Sequence, residues 1–227
     1  MRSYFFDLDG VLADARPGLF LSFRAAVKAI GSPNLSDREL ERFLGTPLPE
    51  MFRVLKPDIT ASEIEVGIKA FRAVYETRGI QQNHLYPGAR ELLQAVADRN
   101  RESWIVTSKP EHHAQQVAEL LGLRQYVRGI VGAGLDETHT KAGLIARALS
   151  QAAVASENVI MLGDRHYDIT GALTNEVLPV GSLWGYGSYA ELYDAGCRNF
   201  ARSPTEFQVT FVENGDIATL ESRRRIA

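Results

Sequence analysis

Two aspartates separated by a single residue follow the first apolar segment of the chain. Asp7 and Asp9 come directly after the apolar residues 4–6, and Gly10 ends the turn. Carboxylates this close together repel each other unless a cation lies between them or one of them holds a proton. Asp-Gly turns are common in surface loops, so the pair indicates a reactive site only if other functional groups join it.

A second pair of carboxylates stands late in the chain. Asp164 and Asp168 follow residues 159–162, an apolar run without polar alternation that is typical of a strand buried on both faces. Ligands of open α/β sheets bind outside the carboxyl ends of the strands, where we expect both pairs to meet. Magnesium prefers such hard oxygen ligands, with waters and a phosphate oxygen completing its coordination. The four carboxylates therefore indicate a magnesium site.

Hydroxyl and ammonium groups fall at comparable positions. Thr107 and Ser108 end the apolar residues 104–106, and the pattern that follows predicts a helix that begins with a capping box at Ser108. Free N–H groups at a helix N-terminus bind anions. Lys141, at the start of another predicted helix, adds a positive charge. These groups and the carboxylates together suit a phosphoryl group beside magnesium.

The elements that must position these groups alternate between strands and helices. Strands are predicted at residues 4–6, 104–106, 130–131, 159–162 and 177–180, and helices at 87–97, 108–121 and 140–153. This alternation predicts an α/β fold with a doubly wound parallel sheet.

Far more chain than one crossover requires separates the first strand from the strand at residues 104–106. Within residues 15–84, apolar residues recur at helical spacing, and capping boxes begin at Ser36 and Thr60. We therefore predict a separate helical subdomain at residues 15–84, inserted into a core formed by residues 1–14 and 85–227.

Composition and charge exclude several classes of protein. The chain has 227 residues, 45% hydrophobic and 23% charged, which excludes a disordered or low-complexity protein. Its net charge of −3 gives no electrostatic reason to expect nucleic-acid or membrane binding. The single cysteine, Cys197, cannot form an internal disulfide and favours a reducing compartment. We therefore expect a cytoplasmic protein.

In their order and spacing, these motifs resemble those of the haloacid dehalogenase superfamily. Its phosphatases have a DxDG motif after the first strand, a strand-ending Thr or Ser, a downstream Lys and a late GDxxxD motif. The matching residues are Asp7, Asp9, Thr107, Lys141, Asp164 and Asp168. The resemblance covers about residues 3–208 and implies a Rossmann-like core with a helical cap between the first two motifs.

The resemblance also implies a role for each matching residue. Asp7 would be the nucleophile that forms an aspartyl-phosphate, and Asp9 would be the general acid and then the base. Thr107 and Lys141 would hold the phosphoryl group and neutralise its charge. The implied phosphate-binding set is Gly10, Thr107, Ser108 and Lys141. The implied magnesium ligands are the carboxylates of Asp7 and Asp164 and the backbone carbonyl of Asp9, with Asp168 bound directly or behind them.

The activity implied is that of a magnesium-dependent phosphatase acting on a small phosphorylated metabolite, as a monomer or homodimer. Thr107-Ser108-Lys109-Pro110 and Tyr186-Gly187-Ser188 look like the phosphoglycolate phosphatase branch, which also contains 5′-nucleotidase-like members. A β-phosphoglucomutase-like sugar phosphomutase stays open, because mutases of this superfamily keep both aspartates. A binding or regulatory protein without catalytic activity on the same fold is the remaining alternative.

Several other residues are predicted to be structural. His112 and His113 are adjacent on a predicted helix, so we expect them on a surface helix and not on one metal. His166 is expected to be exposed in a loop, and Cys197 to be an inert thiol. Residues 208–227 are weakly patterned and end in Arg223-Arg224-Arg225, so both a frayed tail and a binding role are open.

Overall fold

The fold is built on eight short strands, and the computed structural model describes residues 2–134 and 140–214. The strands are β1 (Ser3–Phe6), β2 (Ala13–Asp14), β3 (His84–Leu85), β4 (Glu102–Pro110), β5 (Gly129–Ala133), β6 (Val159–Gly163), β7 (Leu178–Ser182) and β8 (Phe200–Ala201). Six of them form one sheet with the order β5-β4-β1-β6-β7-β8, in which all paired strands are parallel. The remaining two, β2 and β3, pair antiparallel with each other.

Ten α-helices accompany the strands in the described ranges. They are α1 (Arg16–Ala29), α2 (Asp37–Glu41), α3 (Leu48–Leu55), α4 (Ala61–Val74), α5 (Ala89–Ala97), α6 (Glu111–Leu120), α7 (Lys141–Ala152), α8 (His166–Thr174), α9 (Tyr189–Asp194) and α10 (Pro204–Phe207). Single π-helical turns lie at Tyr75–Gly79 and Gln208–Glu213, and 3₁₀ turns at Ile80–Gln82 and Ser156–Asn158.

Helices cover both faces of the sheet, as the doubly wound prediction requires. On β1, Tyr4 and Phe6 point into a cluster with α5 and α6, whereas Phe5 points into a cluster with α7 and α8. Successive side chains of a strand alternate between the two faces. Because both faces are buried, the strand is apolar throughout. The predicted α/β fold class is confirmed.

The sheet order brings the predicted site residues to one edge. Phe6, the last residue of β1, pairs with Ile105 of β4 on one side and with Leu162 of β6 on the other. Asp7 follows Phe6 directly, and Asp164 follows Leu162 by two residues. Both aspartates therefore leave the sheet at the same level.

The predicted helix start at Ser108 is wrong. Strand β4 continues through Pro110, with a register shift against β5 between Val106 and Pro110, and helix α6 begins at Glu111. A residue before proline is held in extended backbone. Lys109 therefore prolongs the strand, and Ser108 lies exposed on it.

The helices between β2 and β3 have a hydrophobic cluster of their own. Phe20, Phe23 and Val27 of α1 pack there with Met51 and Phe52 of α3. The predicted capping boxes are present, since the carboxylates of Glu39 and Glu63 accept hydrogen bonds from the backbone N–H groups of Ser36 and Thr60, both at 2.8 Å. β2 and β3 connect this helical segment to the sheet.

The alternative of a frayed tail is wrong for the part that the structure describes. Phe211 is 3% exposed and Val212 is fully buried against the sheet. The Tyr4 hydroxyl donates to the Phe211 carbonyl at 2.9 Å, and Arg101 donates to the Val212 carbonyl at the same distance. These contacts depend on distant chain segments, so local periodicity did not indicate them. Residues 215–227, including Arg223, lie outside the described residues.

No helix within residues 2–134 and 140–214 combines the length and the apolar character needed to cross a membrane.

Candidate active site

Lys141 connects two of the predicted aspartates. Its Nζ lies 3.0 Å from Asp7 Oδ1 and 2.7 Å from Asp168 Oδ1, and the side chains of Lys141 and Asp168 are almost completely buried. Helix α7 begins at Lys141 because the Thr140 hydroxyl accepts a hydrogen bond from the Gly143 N–H. Burial raises the pKa of Asp7, although Lys141 opposes this shift. The two aspartates and the lysine form one buried charge network.

Asp9 has a cation of its own that the sequence analysis did not identify. Lys109 Nζ lies 2.6 Å from Asp9 Oδ2 and donates to the Tyr75 hydroxyl at 2.5 Å. Lys109 is buried, and burial also raises the pKa of Asp9 despite the lysine. The signal was present in the sequence, since Lys109 follows Thr107 by two residues and alternate residues of an extended strand share a face.

Asp168 binds the backbone at the start of the GDxxxD motif. Its Oδ2 accepts from the N–H groups of Asp164 and Arg165, both at 3.0 Å, while Oδ1 binds Lys141. Asp164 Oδ2 accepts from the Tyr186 N–H at 2.7 Å. Asp164 Oδ1 is buried without a hydrogen-bond partner. Burial and the charges of Asp168 and Asp7 raise the pKa of Asp164 well above its usual range.

This carboxylate cluster fits a divalent cation. Oxygens of Asp7, Asp164 and Asp168 lie within 4.8 Å of one another; Asp164 and Asp168 are buried, and the Asp7 side chain is 13% exposed. A buried acceptor without a partner, such as Asp164 Oδ1, is costly unless a ligand satisfies it. Carboxylate oxygens are the donors that magnesium prefers. The residues present therefore suit the cation that the sequence predicted.

Gly10 lies beneath Asp164, and its N–H is already engaged. Its φ is +85°, and a Cβ at this position would lie 2.1 Å from Asp164 Oδ2. The Gly10 N–H donates to the Ala13 carbonyl at 2.8 Å. Glycine is thus required by the turn and by the close approach of Asp164. The structure brings the other expected phosphate-binding residues, Thr107, Ser108 and Lys141, to one cavity.

That cavity has a volume of about 440 Å³ and lies between the sheet edge and the helical segment. Asp7, Asp9 and Lys141 form its floor. Its opposite wall comes from α1, the loop before α3, the first residue of α3, α4 and the following π-helical turn. The lining residues there are Leu19, Phe23, Thr46, Pro47, Leu48, Phe71, Arg72 and Tyr75. The basic side chains of Arg16, Arg53 and Lys56, which also belong to the helical segment, are not among the described lining residues.

The prediction that both adjacent histidines lie on a surface is wrong for His113. Its ring is buried edge-on against Tyr75, and Nε2 lies 3.2 Å from Glu76 Oε1. Burial and neighbouring His112 lower the pKa of His113 to about 4. Potential ligand atoms of Glu76, His112 and His113 lie within 4.8 Å of one another, because the helix start and the π-helical turn meet here.

His166 and Cys197 have structural contacts. His166 Nδ1 lies 2.9 Å from Glu191 Oε1, so its ring is held and only partly exposed. Cys197 is fully buried, and burial raises the pKa of its thiol, which agrees with the inert thiol predicted. Glu191 also accepts from Arg165 Nε at 2.8 Å.

Comparisons with known proteins agree with the motifs and the fold. The family model for the haloacid dehalogenase-like hydrolases matches residues 4–179. A 5′-nucleotidase from Pseudomonas aeruginosa is 34% identical over 188 residues, which cover 82% of this chain and 85% of the relative. The tyrosine-protein kinase PtkA of Mycobacterium tuberculosis is also 34% identical, over 80% of this chain and 62% of its own length. A phosphoglycolate phosphatase from Vibrio parahaemolyticus is 26% identical, over 80% of this chain and 83% of the relative.

Solved structures agree as well. A predicted phosphatase from Clostridium acetobutylicum superposes with a TM-score of 0.87 and 31% identity, over 94% of this chain and 99% of that chain. The family match spans most of the chain and includes the sheet edge that holds the aspartates. This chain is therefore an enzyme of the haloacid dehalogenase-like hydrolase family.

Proposed function

We propose that the enzyme is a magnesium-dependent phosphatase that hydrolyses a small phosphorylated metabolite. The observation that carries this proposal is the pairing of each early aspartate with its own buried lysine in one cavity. Asp7 lies beside Lys141, and Asp9 lies beside Lys109. The arrangement separates a nucleophile from an acid–base group, although only one residue stands between the two in the chain.

In the proposed first step, a carboxylate oxygen of Asp7 attacks the phosphorus and the bond to the ester oxygen breaks. Asp9 donates its proton to the leaving oxygen, and its raised pKa supports this role. In the second step Asp9 accepts a proton from water, whose oxygen attacks the phosphorus. Inorganic phosphate leaves, and Asp7 is regenerated.

The remaining residues bind and orient. Thr107, Ser108 and Lys141 contribute to the cavity and are proposed to hold the phosphoryl oxygens. Magnesium would be held by the Asp7 and Asp164 carboxylates and the Asp9 carbonyl, and it would supply positive charge to the phosphoryl group. Asp168 positions this set, because its oxygens already bind Lys141 and the backbone of Asp164.

We further propose that residues 15–84 act as a cap over a core of residues 1–14 and 85–227, and that the enzyme works in the cytoplasm. The separate hydrophobic cluster between β2 and β3 supports the cap. Its closure over the cavity would exclude bulk water during phosphoryl transfer. An identical cap position in crystal structures with and without a phosphate analogue would argue against this gating.

Phosphate release from a panel of esters tests the reaction. The panel contains phosphoglycolate, nucleoside monophosphates and hexose phosphates, each with and without Mg²⁺. We expect Mg²⁺-dependent release that Asp7→Asn abolishes, while the exposed control Asp58→Asn retains it. Isomerisation of a hexose phosphate without release would identify a phosphomutase. No turnover of any ester by the folded protein would favour the binding protein.

A further inference from the structure

We propose that the cavity selects a leaving group that carries an uncharged ring, such as a benzyl or nucleoside group, over a short anionic acid such as glycolate. This inference rests on the proposed phosphatase function and concerns the same site. It comes from the wall opposite Asp7 and Asp9 and from the partners of the basic residues around the cavity.

The wall is mostly apolar and aromatic, with Thr46 and Arg72 as its polar members. Phe71 stacks on Tyr75 with ring centroids 5.6 Å apart and an interplanar angle of 10°. The ring centroids of Phe23 and Phe71 are 5.5 Å apart at an interplanar angle of 42°, and Leu19 and Leu48 also line the cavity. Aromatic side chains of this kind bind rings through large apolar contacts and offset or edge-on stacking. The cavity volume of about 440 Å³ lies within the usual range for small-molecule sites.

The basic residues of the cavity already have partners. Among the lining residues that the structure describes, they are Arg72, Lys109, His113, Lys141 and Arg165. The two lysines are paired with the early aspartates. Arg165 Nε lies 2.8 Å from Glu191, His113 lies 3.2 Å from Glu76, and Arg72 is not free either.

A carboxylate on the leaving group would therefore compete with the group that already pairs with one of these basic side chains. If it drew Lys109 away, Asp9 Oδ2 would lose the ammonium group that lies 2.6 Å from it, and the Tyr75 hydroxyl would lose its donor. A neutral ring makes no such demand and removes apolar surface from water against Phe71. The same cavity thus favours the ring and disfavours the carboxylate.

Three alkyl phosphates with ester oxygens of similar basicity test this selectivity: benzyl phosphate, ethyl phosphate and 2-phosphoglycolate. We expect kcat/KM for benzyl phosphate to exceed that for ethyl phosphate about tenfold or more. We expect 2-phosphoglycolate to be the poorest of the three. Equal or better hydrolysis of 2-phosphoglycolate than of benzyl phosphate would overturn the inference while leaving the phosphatase intact.

Substitutions in the wall test whether its aromatic side chains determine the selectivity. Phe71→Ala should lower the ratio of kcat/KM for benzyl over ethyl phosphate about tenfold, and Phe71→Leu, which keeps most of the apolar volume, should lower it less. Tyr193→Ala removes an exposed aromatic ring on α9, outside the described cavity lining, and should leave the ratio unchanged. Thermal melting of each variant checks folding. An unchanged ratio in folded Phe71→Ala contradicts the assignment.

Binding measurements separate this inference from the reaction. Benzylphosphonate, which cannot be hydrolysed at its P–C bond, should bind at least tenfold more tightly than phosphonoacetate in calorimetric titrations with Mg²⁺ present. If no ester is hydrolysed but this preference holds, the proposed phosphatase fails and the ring selectivity stands. If phosphonoacetate binds as tightly or more tightly, the ring selectivity fails.

Discussion

Lys141 is the residue on which the buried charge network depends. Its ammonium group contacts Asp7 and Asp168, and burial leaves little water to replace it. Removing one partner of a buried ion pair leaves uncompensated charge, at a cost of about 3–5 kcal/mol. We expect Lys141→Met to lower the free energy of unfolding by about this amount in metal-free urea denaturation. The exposed Lys28→Met should change it by less than about 0.5 kcal/mol; similar losses in both variants would contradict the network.

Asp164 makes the stability of the metal-free protein depend on pH. Burial raises the pKa of its carboxyl group, so the folded protein keeps a proton that the unfolded chain has released. The contribution of this group to the free energy of unfolding therefore falls as the pH rises above the usual range for Asp. Magnesium competes with that proton, because a cation binds the deprotonated carboxylate.

We therefore expect Mg²⁺ to stabilise the protein more at pH 7.5 than at pH 5. At a hundredfold excess over Kd, binding contributes about 2.7 kcal/mol, which corresponds to roughly 5–10 °C in Tm for a chain of this size. Thermal melting of wild type, Asp164→Asn and the control Asp58→Asn measures this. The shift should disappear in Asp164→Asn alone. A shift of equal size at both pH values would argue against competition with a proton.

For single residues, the sequence motifs predicted the positions of the reactive side chains. They did not predict most of the contacts that hold those side chains in place. Asp7, Asp9, Asp164 and Asp168 were found because they follow recognisable strands. The partner of Asp9, Lys109, lies on a strand end that had been assigned to a helix. The support of Asp164 by the Tyr186 backbone joins residues 22 positions apart, and no local pattern encodes it.

At the scale of elements, helix α1 crosses the π-helical turn Tyr75–Gly79 at a glycine. A Cβ on Gly18 would lie 2.1 Å from the Gly79 carbonyl oxygen. The π-helical turn also carries Tyr75, which binds Lys109, so a shift of its backbone would disturb that contact. We expect Gly18→Ala to lower the free energy of unfolding by about 1–3 kcal/mol through overpacking, as measured by urea denaturation.

Gly143 provides the matched control. It lies in α7, where an added Cβ would meet the Thr140 hydroxyl at an ordinary 3.5 Å. Alanine is favoured over glycine within helices by up to about 1 kcal/mol, so Gly143→Ala should be neutral or stabilising. Destabilisation of both variants to the same extent would show that the crossing is not the cause.

Element prediction succeeded where the sequence pattern that indicates an element is local. The capping boxes at Ser36 and Thr60 and the apolar strands 159–162 and 4–6 needed no distant information. The helix beginning near Ser108 was misplaced because a capping pattern competed with the extended backbone that Pro110 imposes. Tertiary pairing with β5 then decided in favour of the strand.

In the molecule as a whole, the π-helical turn Gln208–Glu213, called the C-terminal turn below, packs against one face of the sheet. Phe211 packs on Phe207 with centroids 5.1 Å apart, and its carbonyl binds the Tyr4 hydroxyl. Truncating a buried phenylalanine to alanine costs about 3–5 kcal/mol, so Phe211→Ala should be strongly destabilising in urea denaturation. The exposed Val209→Ala, on the same turn, should have little effect. A minor effect of Phe211→Ala would mean that this turn does not support the sheet.

The overall architecture was predictable because alternation of strands and helices restricts the sheet to few topologies. The C-terminal turn was not, because its stability comes from β1 and from Arg101, which are distant in sequence. The cavity wall was not predictable either, because its aromatic residues have the helical spacing of residues that pack helices together. Only the folded chain brings Phe71 and Asp9 to the same cavity.

The short ladder between β2 and β3 has a consequence for engineering. Ala13 lies opposite Leu85, and Asp14 opposite His84, so the helical segment between them begins and ends at neighbouring points. Any replacement for the intervening helices must bridge only the width of one strand pair, whatever its own length. We therefore expect the chain to accept a segment transplanted from a relative there, and such a chimaera would test whether this segment determines the choice of ester.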